Sequence, residues 1–258
     1  MAVFDEIQFA LREKAYLNAR LYLLPKGAFF CIISCMKTLL YYAELTALHD
    51  EELFRQYYQT LPEYRKKKID KLKPEGERCR SLGAGLLLKR ACEDAGIPGK
   101  DGHLSLGEYG KPFFAACPEI HFSLSHSGEY AVCVMAPCET GCDIETVKPF
   151  REAVAKRVFT EEEYLWLSAE KNAGRGDEAF CRLWTLKESF LKVTGKGFSF
   201  PVQEAGFSFA EGPPVLLLHG QPEPSCSFFE PQFSPGYRCA VCLQSRNAMQ
   251  PEVIQVRF

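Results

Sequence analysis

Trp184-Thr-Leu-Lys-Glu-Ser-Phe-Leu-Lys-Val-Thr-Gly-Lys-Gly197 reads as a helix that carries a carboxylate and an ammonium on one side and stops at glycine. Glu188 and Lys192 are four residues apart, and so neighbours on a helix surface. Trp184, Leu191 and, to a lesser degree, Phe190 can face a core, while Gly195 and Gly197 supply the left-handed backbone at which helices end. Taken alone, the pair is what any amphipathic helix presents to water.

A second element changes that reading. Upstream, the apolar strand Ala131-Val-Cys-Val-Met-Ala136 is followed by Thr140-Gly-Cys-Asp-Ile-Glu145. In a strand, Asp143 and Glu145 point to one face while Cys142 and Ile144 point to the other. Two carboxylates beside an apolar strand repel each other and resist burial unless a cation neutralises them, and Mg²⁺ suits a site of few carboxylates, several waters and a phosphate. A third element, His121-Phe-Ser-Leu-Ser-His-Ser-Gly128, predicts a strand ending in a polar turn where Ser125, His126 and Ser127 gather hydroxyl, imidazole and backbone donors into a phosphate cradle. A fourth, Gly110-Lys-Pro112, holds Lys111 in a rigid turn.

Together these motifs resemble the signature of the 4'-phosphopantetheinyl transferases, and more closely the larger, two-halved type that services peptide and polyketide synthases. Tyr109-Gly-Lys-Pro112, Arg157-Val-Phe-Thr-Glu-Glu-Glu-Tyr164 and Pro235-Gly-Tyr-Arg-Cys-Ala-Val-Cys242 match as well, in order, over about four fifths of the chain. The resemblance implies Mg²⁺-dependent transfer of the phosphopantetheine arm of coenzyme A to a serine of an apo acyl or peptidyl carrier protein, with adenosine 3',5'-bisphosphate released. It implies Asp143, Glu145 and Glu188 as metal ligands, with Glu188 and Lys192 the catalytic groups. Glu188 either takes the serine proton or orients a metal-bound water that does so. Lys192 is preferred over its neighbour Lys187 for stabilising phosphoryl oxygens, because it shares the face of Glu188. By the same resemblance Ser125 and His126 meet the 3'-phosphate of coenzyme A, Lys111 lies near its adenine or phosphate end, and Arg80 and Ser81 are further phosphate ligands. Within the basic run Arg65-Lys-Lys-Lys68, Lys67 is the expected phosphate contact, although such runs are usually solvated helix faces and the match needs an insertion over 64–76.

The expected fold is α+β, with two similar halves related by a pseudo-two-fold axis and the active site in the cleft between them. Helices are predicted at 50–60, 75–95, 150–158, 161–170 and 178–194. Strands are predicted at 39–44, 105–108, 121–125, 130–135, 142–145, 207–209, 215–218, 225–230 and 237–243. The division runs 36–139 and 140–258, with Met36 expected as the natural start and 1–35 an N-terminal extension that is either an upstream translation or a poorly packed appendage. The apolar patch at 28–35 is too short to span a bilayer and does not follow a basic segment as a signal peptide would, so no membrane partner is expected. Nothing beyond Leu243 forms a readable motif.

Composition agrees with a compact enzyme of 258 residues, 47% hydrophobic and 25% charged. The formal net charge of −2 argues against nucleic acid as a partner, and so against a metal-dependent nuclease, the rival suggested by carboxylates followed by Glu and Lys. A second rival binds coenzyme A without transferring its arm; the joint presence of Asp143, Glu145, Glu188 and Lys192 speaks against it. Of the twelve cysteines, Cys239 and Cys242 fall on opposite faces of one strand, and Cys92, Cys133 and Cys181 sit among apolar residues, as reduced thiols do. A cytoplasmic monomer is expected.

Overall fold

A computed structural model describes residues 36–97, 104–209 and 212–258. The segment 1–35, and with it the question of its native status, lies outside the described residues.

The first half runs β1 (Leu39–Glu44), a 3-10 turn (Thr46–His49), α1 (Glu51–Gln59), α2 (Glu63–Asp70), α3 (Glu75–Asp94), β2 (Leu104–Leu106), β3 (Pro112–Phe114), β4 (His121–Ser127) and β5 (Tyr130–Ala136). The second runs β6 (Thr140–Thr146), α4 (Glu152–Val158), α5 (Glu161–Asn172), α6 (Gly176–Thr194), β7 (Ala205–Ser208), β8 (Val215–Leu218), β9 (Gln221–Pro222), β10 (Ser227–Phe229), β11 (Tyr237–Leu243) and β12 (Glu252–Gln255).

Strict alternation along β5 builds the layers. Ala131, Cys133 and Met135 join Leu82, Leu87 and Ala91 of α3 in one apolar cluster. Val132, Val134 and Ala136 join Cys142 and Ile144 of β6 and Cys239, Val241 and Leu243 of β11 in another. The other faces of β6 and β11 look the opposite way, where Ala240 and Cys242 pack with Leu183, Leu186, Phe190 and Val193 of α6. The order is therefore α3, the sheet β12-β1-β5-β4, the sheet β10-β11-β6, then α6. Reading inward from either end gives a long helix, then a sheet. The architecture is α+β, and Cys239 and Cys242 stand on opposite faces as the odd spacing requires.

The edge strands β4 and β6 meet without a backbone ladder between them. Ser123, Ser125 and Ser127 present hydroxyls at alternate positions, and these accept the N–H groups of Cys142 (3.1 Å), Ile144 (3.3 Å) and Thr146 (3.2 Å). A row of serines thus satisfies an edge that would otherwise be left buried and unpaired.

The stretch around 64–76, over which the family match needs an insertion, begins with a regular helix, α2, whose buried face is Arg65 and Ile69, four residues apart. The tail beyond Leu243 forms β12, which pairs in parallel with β1, Leu39 opposite Glu252 through Tyr42 opposite Gln255. The chain therefore returns to the first half's sheet, and a clean division at 140–258 does not describe it. Val253 and Gln255 face out while Ile254, Val256 and Phe258 pack against the first half's core, a two-residue apolar repeat that was the available sign of a strand.

Candidate functional site

The site begins at a glycine. A Cβ added to Gly141 would stand 2.0 Å from the Ser189 carbonyl oxygen and 2.9 Å from both Lys192 Cβ and Val193 N, so only glycine lets α6 lie this close to β6. That approach brings the Glu188–Lys192 face of α6 against Asp143 on the strand. Gly195 ends the helix in the left-handed conformation, φ 69°.

Lys192 Nζ donates to Asp143 Oδ1 at 2.8 Å and to the Cys142 carbonyl at 2.9 Å. The same Asp143 oxygen accepts from Ser125 Oγ at 2.7 Å. Glu145 Oε2 accepts from Ser127 Oγ at 2.7 Å and has Lys148 Nζ at 3.7 Å. Each serine therefore takes a backbone N–H from β6 and gives its own proton to a carboxylate of the same strand. Glu188 is pushed up to about 7 by burial, then by the negative charge of Asp143, with Lys192 opposing and Glu145 adding to the rise. Burial works to lower Lys192, but Asp143, Cys142 and Glu188 outweigh it and its pKa ends raised.

The residues fit a divalent cation on their own evidence. Asp143 is buried, yet its Oδ2 has no hydrogen-bond partner among the described residues. Glu188 is raised first by burial and then by the charge of Asp143, with Glu145 adding to it, so three carboxylates gather beside Lys192. Oxygen-only donors of this kind suit a hard ion such as Mg²⁺.

Beside the carboxylates a cleft of about 480 Å³ is lined in part by Arg65, Lys68, Lys111, Ser125, His126 and Lys192. Arg65 is only 8% exposed; its Nη2 donates to the Ser81 carbonyl at 2.9 Å, and its Nε has no partner. His126 is open to solvent but crowded by protein, and desolvation lowers its pKa against the pull of Glu77. Gly128, just after the strand, has φ 54°, and a Cβ there would meet the Tyr237 hydroxyl at 2.3 Å; that hydroxyl accepts the Glu129 N–H at 3.0 Å. The turn behind His126 is thereby locked to β11.

The other expected residues divide. Lys111 lines the cleft, but its ammonium is held by Glu139 Oε2 (2.6 Å) and by the carbonyls of Thr140 (3.3 Å) and Val193 (3.2 Å), where it meets the negative end of α6. Glu139 is lowered to about 2, first by the hydrogen bond from His121, then by Lys111, against the opposing effect of burial. Arg80 does not line the cleft; it is tied to Glu77 Oε1 (2.9 Å) and the Gly128 carbonyl (3.3 Å), although its charge reaches His126. Ser81 is 2% exposed within α3, its hydroxyl unpartnered, and does not line the cleft. Lys67 is exposed and also absent from the cleft wall. Two residues from Arg65 on a helix is about 200° of rotation, so Lys67 points away from the face that Arg65 and Ile69 bury, whereas Lys68 lies beside it. Lys187 turns into the second half's core, 2% exposed, where it pairs with Glu163 at 2.9 Å and donates to the carbonyls of Val202 (3.1 Å) and Ala205.

Sequence reasoning thus missed Arg65 and Lys68, which the spacing of Leu61, Arg65 and Ile69 as one helical stripe would have favoured over Lys67. It also missed the pairing of Ser127 with Glu145, for which the run Ser123, Ser125, Ser127 at period two was the available sign.

The carboxylates, the paired lysine and the basic cleft thus stand together at the junction of the halves of an α-β-β-α molecule. The model of the 4'-phosphopantetheinyl transferase superfamily matches residues 139–242. A 4'-phosphopantetheinyl transferase of Bacillus subtilis is 34% identical over 164 residues, covering 63% of this chain and 73% of that one. The gsp transferase of Aneurinibacillus migulanus is 33% identical over 161 residues (62% and 66%), and Sfp of Bacillus subtilis strain 168 is 36% identical over 142 residues (55% and 63%). The chain belongs to the 4'-phosphopantetheinyl transferase family, in its larger type. It spans just under two thirds of the length of the last two relatives.

Proposed function

We propose that this chain transfers the 4'-phosphopantetheine arm of coenzyme A to a serine of an apo carrier protein, acyl or peptidyl, releasing adenosine 3',5'-bisphosphate. The observation that carries the reading is the buried, unpartnered Asp143 Oδ2 beside Glu145, Glu188 and Lys192, at the wall of a basic cleft in a chain of this family.

In this reading Asp143, Glu145 and Glu188 hold Mg²⁺, which when bound neutralises charge building on the leaving phosphate. Ser125 and Ser127 each hold one oxygen of a strand carboxylate, Asp143 Oδ1 and Glu145 Oε2, and leave the other oxygen to the ion. Lys192 is anchored at one side to Asp143 and offers its remaining donor capacity to a phosphoryl oxygen. Glu188, beside Asp143 and Lys192, is placed to receive at its carboxylate the proton of a carrier serine, or of a water that relays it. Arg65, with its unpartnered Nε, Lys68 and His126 receive the phosphates of the nucleotide end. Lys111 closes the cleft floor as a clasp between Glu139 and the end of α6.

Both walls of the cleft come from one chain, which supports a monomer. No helix among the described residues is long and apolar enough to cross a membrane, and the described cysteines are free thiols, which supports a reducing cytoplasm. The test is incubation with coenzyme A, Mg²⁺ and a panel of apo carrier proteins, read by intact mass. The expected outcome is the mass of one phosphopantetheine arm on at least one carrier; coenzyme A binding with no carrier modified would leave the binding module as the better reading.

A further inference from the structure

A second cleft, of about 720 Å³, includes His49, Glu75 and Cys79 in its lining and none of Asp143, Glu145 or Glu188. One ligand atom from each of these three residues lies within 4.8 Å of the others. Glu75 and Cys79 are four apart in the first turns of α3 and so project together, while His49 arrives from the 3-10 turn that follows β1. One imidazole nitrogen, Nδ1, faces Glu75 Oε1 at 3.2 Å, and the other, Nε2, meets Glu129 Oε2 at 3.0 Å.

The orientation of His49 is the informative detail. A histidine that ligates a metal gives its second ring N–H to a carboxylate or carbonyl, which fixes the ring and raises its basicity. Glu129 occupies that position. The ordinary alternative is a protonated imidazole clasped by two surface carboxylates beside Cys79, a 1% exposed thiol of the first half's apolar cluster whose Sγ donates to the Leu48 carbonyl at 3.2 Å; what the metal reading adds is a reason for this sulfur to stand within reach of both the imidazole and the Glu75 carboxylate. Imidazole, thiolate and one carboxylate together are a borderline-soft donor set, suited to Zn²⁺ and unsuited to Mg²⁺, which takes oxygens. Bonds of about 2.0–2.3 Å in a tetrahedron keep ligands about 3.3–3.7 Å apart, so the cluster needs to contract by roughly 1 Å. His49 Nδ1 and Glu75 Oε1 already stand 3.2 Å apart, so the contraction is toward Cys79 Sγ, and the His49 and Glu75 side chains, 37% and 71% exposed, have room to shift that way.

We propose that His49, Glu75 and Cys79 form a second metal site, for Zn²⁺ or an ion of its class, with the fourth position open to the cleft. On binding, the Cys79 S–H bond breaks, the sulfur lone pair goes to the metal, and the proton leaves to solvent. The ion would tie α3 and the turn after β1, through His49, to Glu129 in the turn that follows His126.

Co²⁺ is the probe, added to the full chain after treatment with chelator and reductant. The expected result is one equivalent bound with thiolate-to-cobalt charge-transfer absorption, displaced by Zn²⁺ and undisturbed by a large excess of Mg²⁺. The absorption should vanish in Cys79→Ser, weaken at least tenfold in affinity in Glu75→Gln, and persist in Asp143→Asn. No charge-transfer band in the wild type, or a band that survives in Cys79→Ser, overturns the proposal. If Cys79→Ser does not fold by circular dichroism, the surface variant Glu75→Gln decides, and wild-type Co²⁺ affinity in it overturns the site.

Discussion

Gly141→Ala tests the contact on which the carboxylate site is built. The added methyl would meet the Ser189 carbonyl oxygen at 2.0 Å, and ordinary contact begins at 3.4 Å, so α6 and β6 must part by about 1.4 Å at that point. The obstructing atoms are helix backbone and the Cβ of Lys192 itself, so no side-chain rotation relieves the clash. Overpacking of this kind costs about 1–3 kcal/mol, and the rigid partners put this case at about 3 kcal/mol. The separation also carries Glu188 and Lys192 away from Asp143; misplacing reacting groups by about 1 Å lowers rates by roughly 100-fold. Urea unfolding gives the first quantity, and the initial rate of carrier modification at saturating coenzyme A and Mg²⁺ gives the second. Gly83→Ala is the control, because its methyl meets Leu45 Cδ2 at 2.3 Å, the end of a flexible side chain in the first half's core. That variant should lose some stability and keep its rate when folded. A folded Gly141→Ala protein with the wild-type rate would refute the reasoning, since the helix would then not need its close seat on the strand.

Glu188 offers a pH test in metal-free protein: raised from its ordinary 4.5 to about 7, it favours folding most below pH 4.5 and imposes a growing penalty as pH rises to about 7. The gap sets an upper limit of about 3 kcal/mol, which partial solvent access reduces to about 1–2 kcal/mol, so Glu188→Gln should be more stable than wild type at pH 8 by that amount and added Mg²⁺ should erase the difference; parallel stability curves from pH 4 to 8 would reject this. Lys187→Met strands Glu163 in the core without its partner and should cost about 3–5 kcal/mol in urea unfolding, and a loss under 1 kcal/mol would remove the pair from the stability account. Ser127→Ala frees the Thr146 N–H and Glu145 at once, so we expect about 1–3 kcal/mol of lost stability together with a higher Mg²⁺ concentration for half-maximal carrier modification; an unchanged Mg²⁺ requirement would show that Glu145 needs no such support.

What was legible in the sequence were features written in local periodicity. Cys142 and Ile144 against Asp143 and Glu145, and Cys239 against Cys242, follow from the two-residue repeat of a strand, and Gly195 marks the end of α6 as glycine should. The helix face shared by Glu188 and Lys192 was equally plain. What was hidden depends on contacts distant in the chain. No local rule says that Lys187 meets Glu163 in a core, that Lys111 reaches the end of a helix at Val193, or that Ser125 spends its proton on Asp143. Lys67 was a different kind of miss: the period of α2 was available, but a run of four basic residues masks which of them lies on the buried stripe. The return of the chain to the first sheet through β12 was written at period two in Ile254, Val256 and Phe258, but no local rule says which sheet so short a strand joins.

That return has a consequence for synthesis. β1 is paired on one side with β5 and on the other with β12, and the second partner follows the first strand by roughly two hundred residues. At about 5–20 residues per second, the ribosome leaves the open edge of β1 waiting for about 10–40 s. During that interval the nascent first half displays an unsatisfied edge beside apolar residues, the circumstance in which strands from neighbouring chains pair with one another. Slow translation or crowded polysomes should therefore reduce the yield of soluble protein before any property of the finished fold is touched.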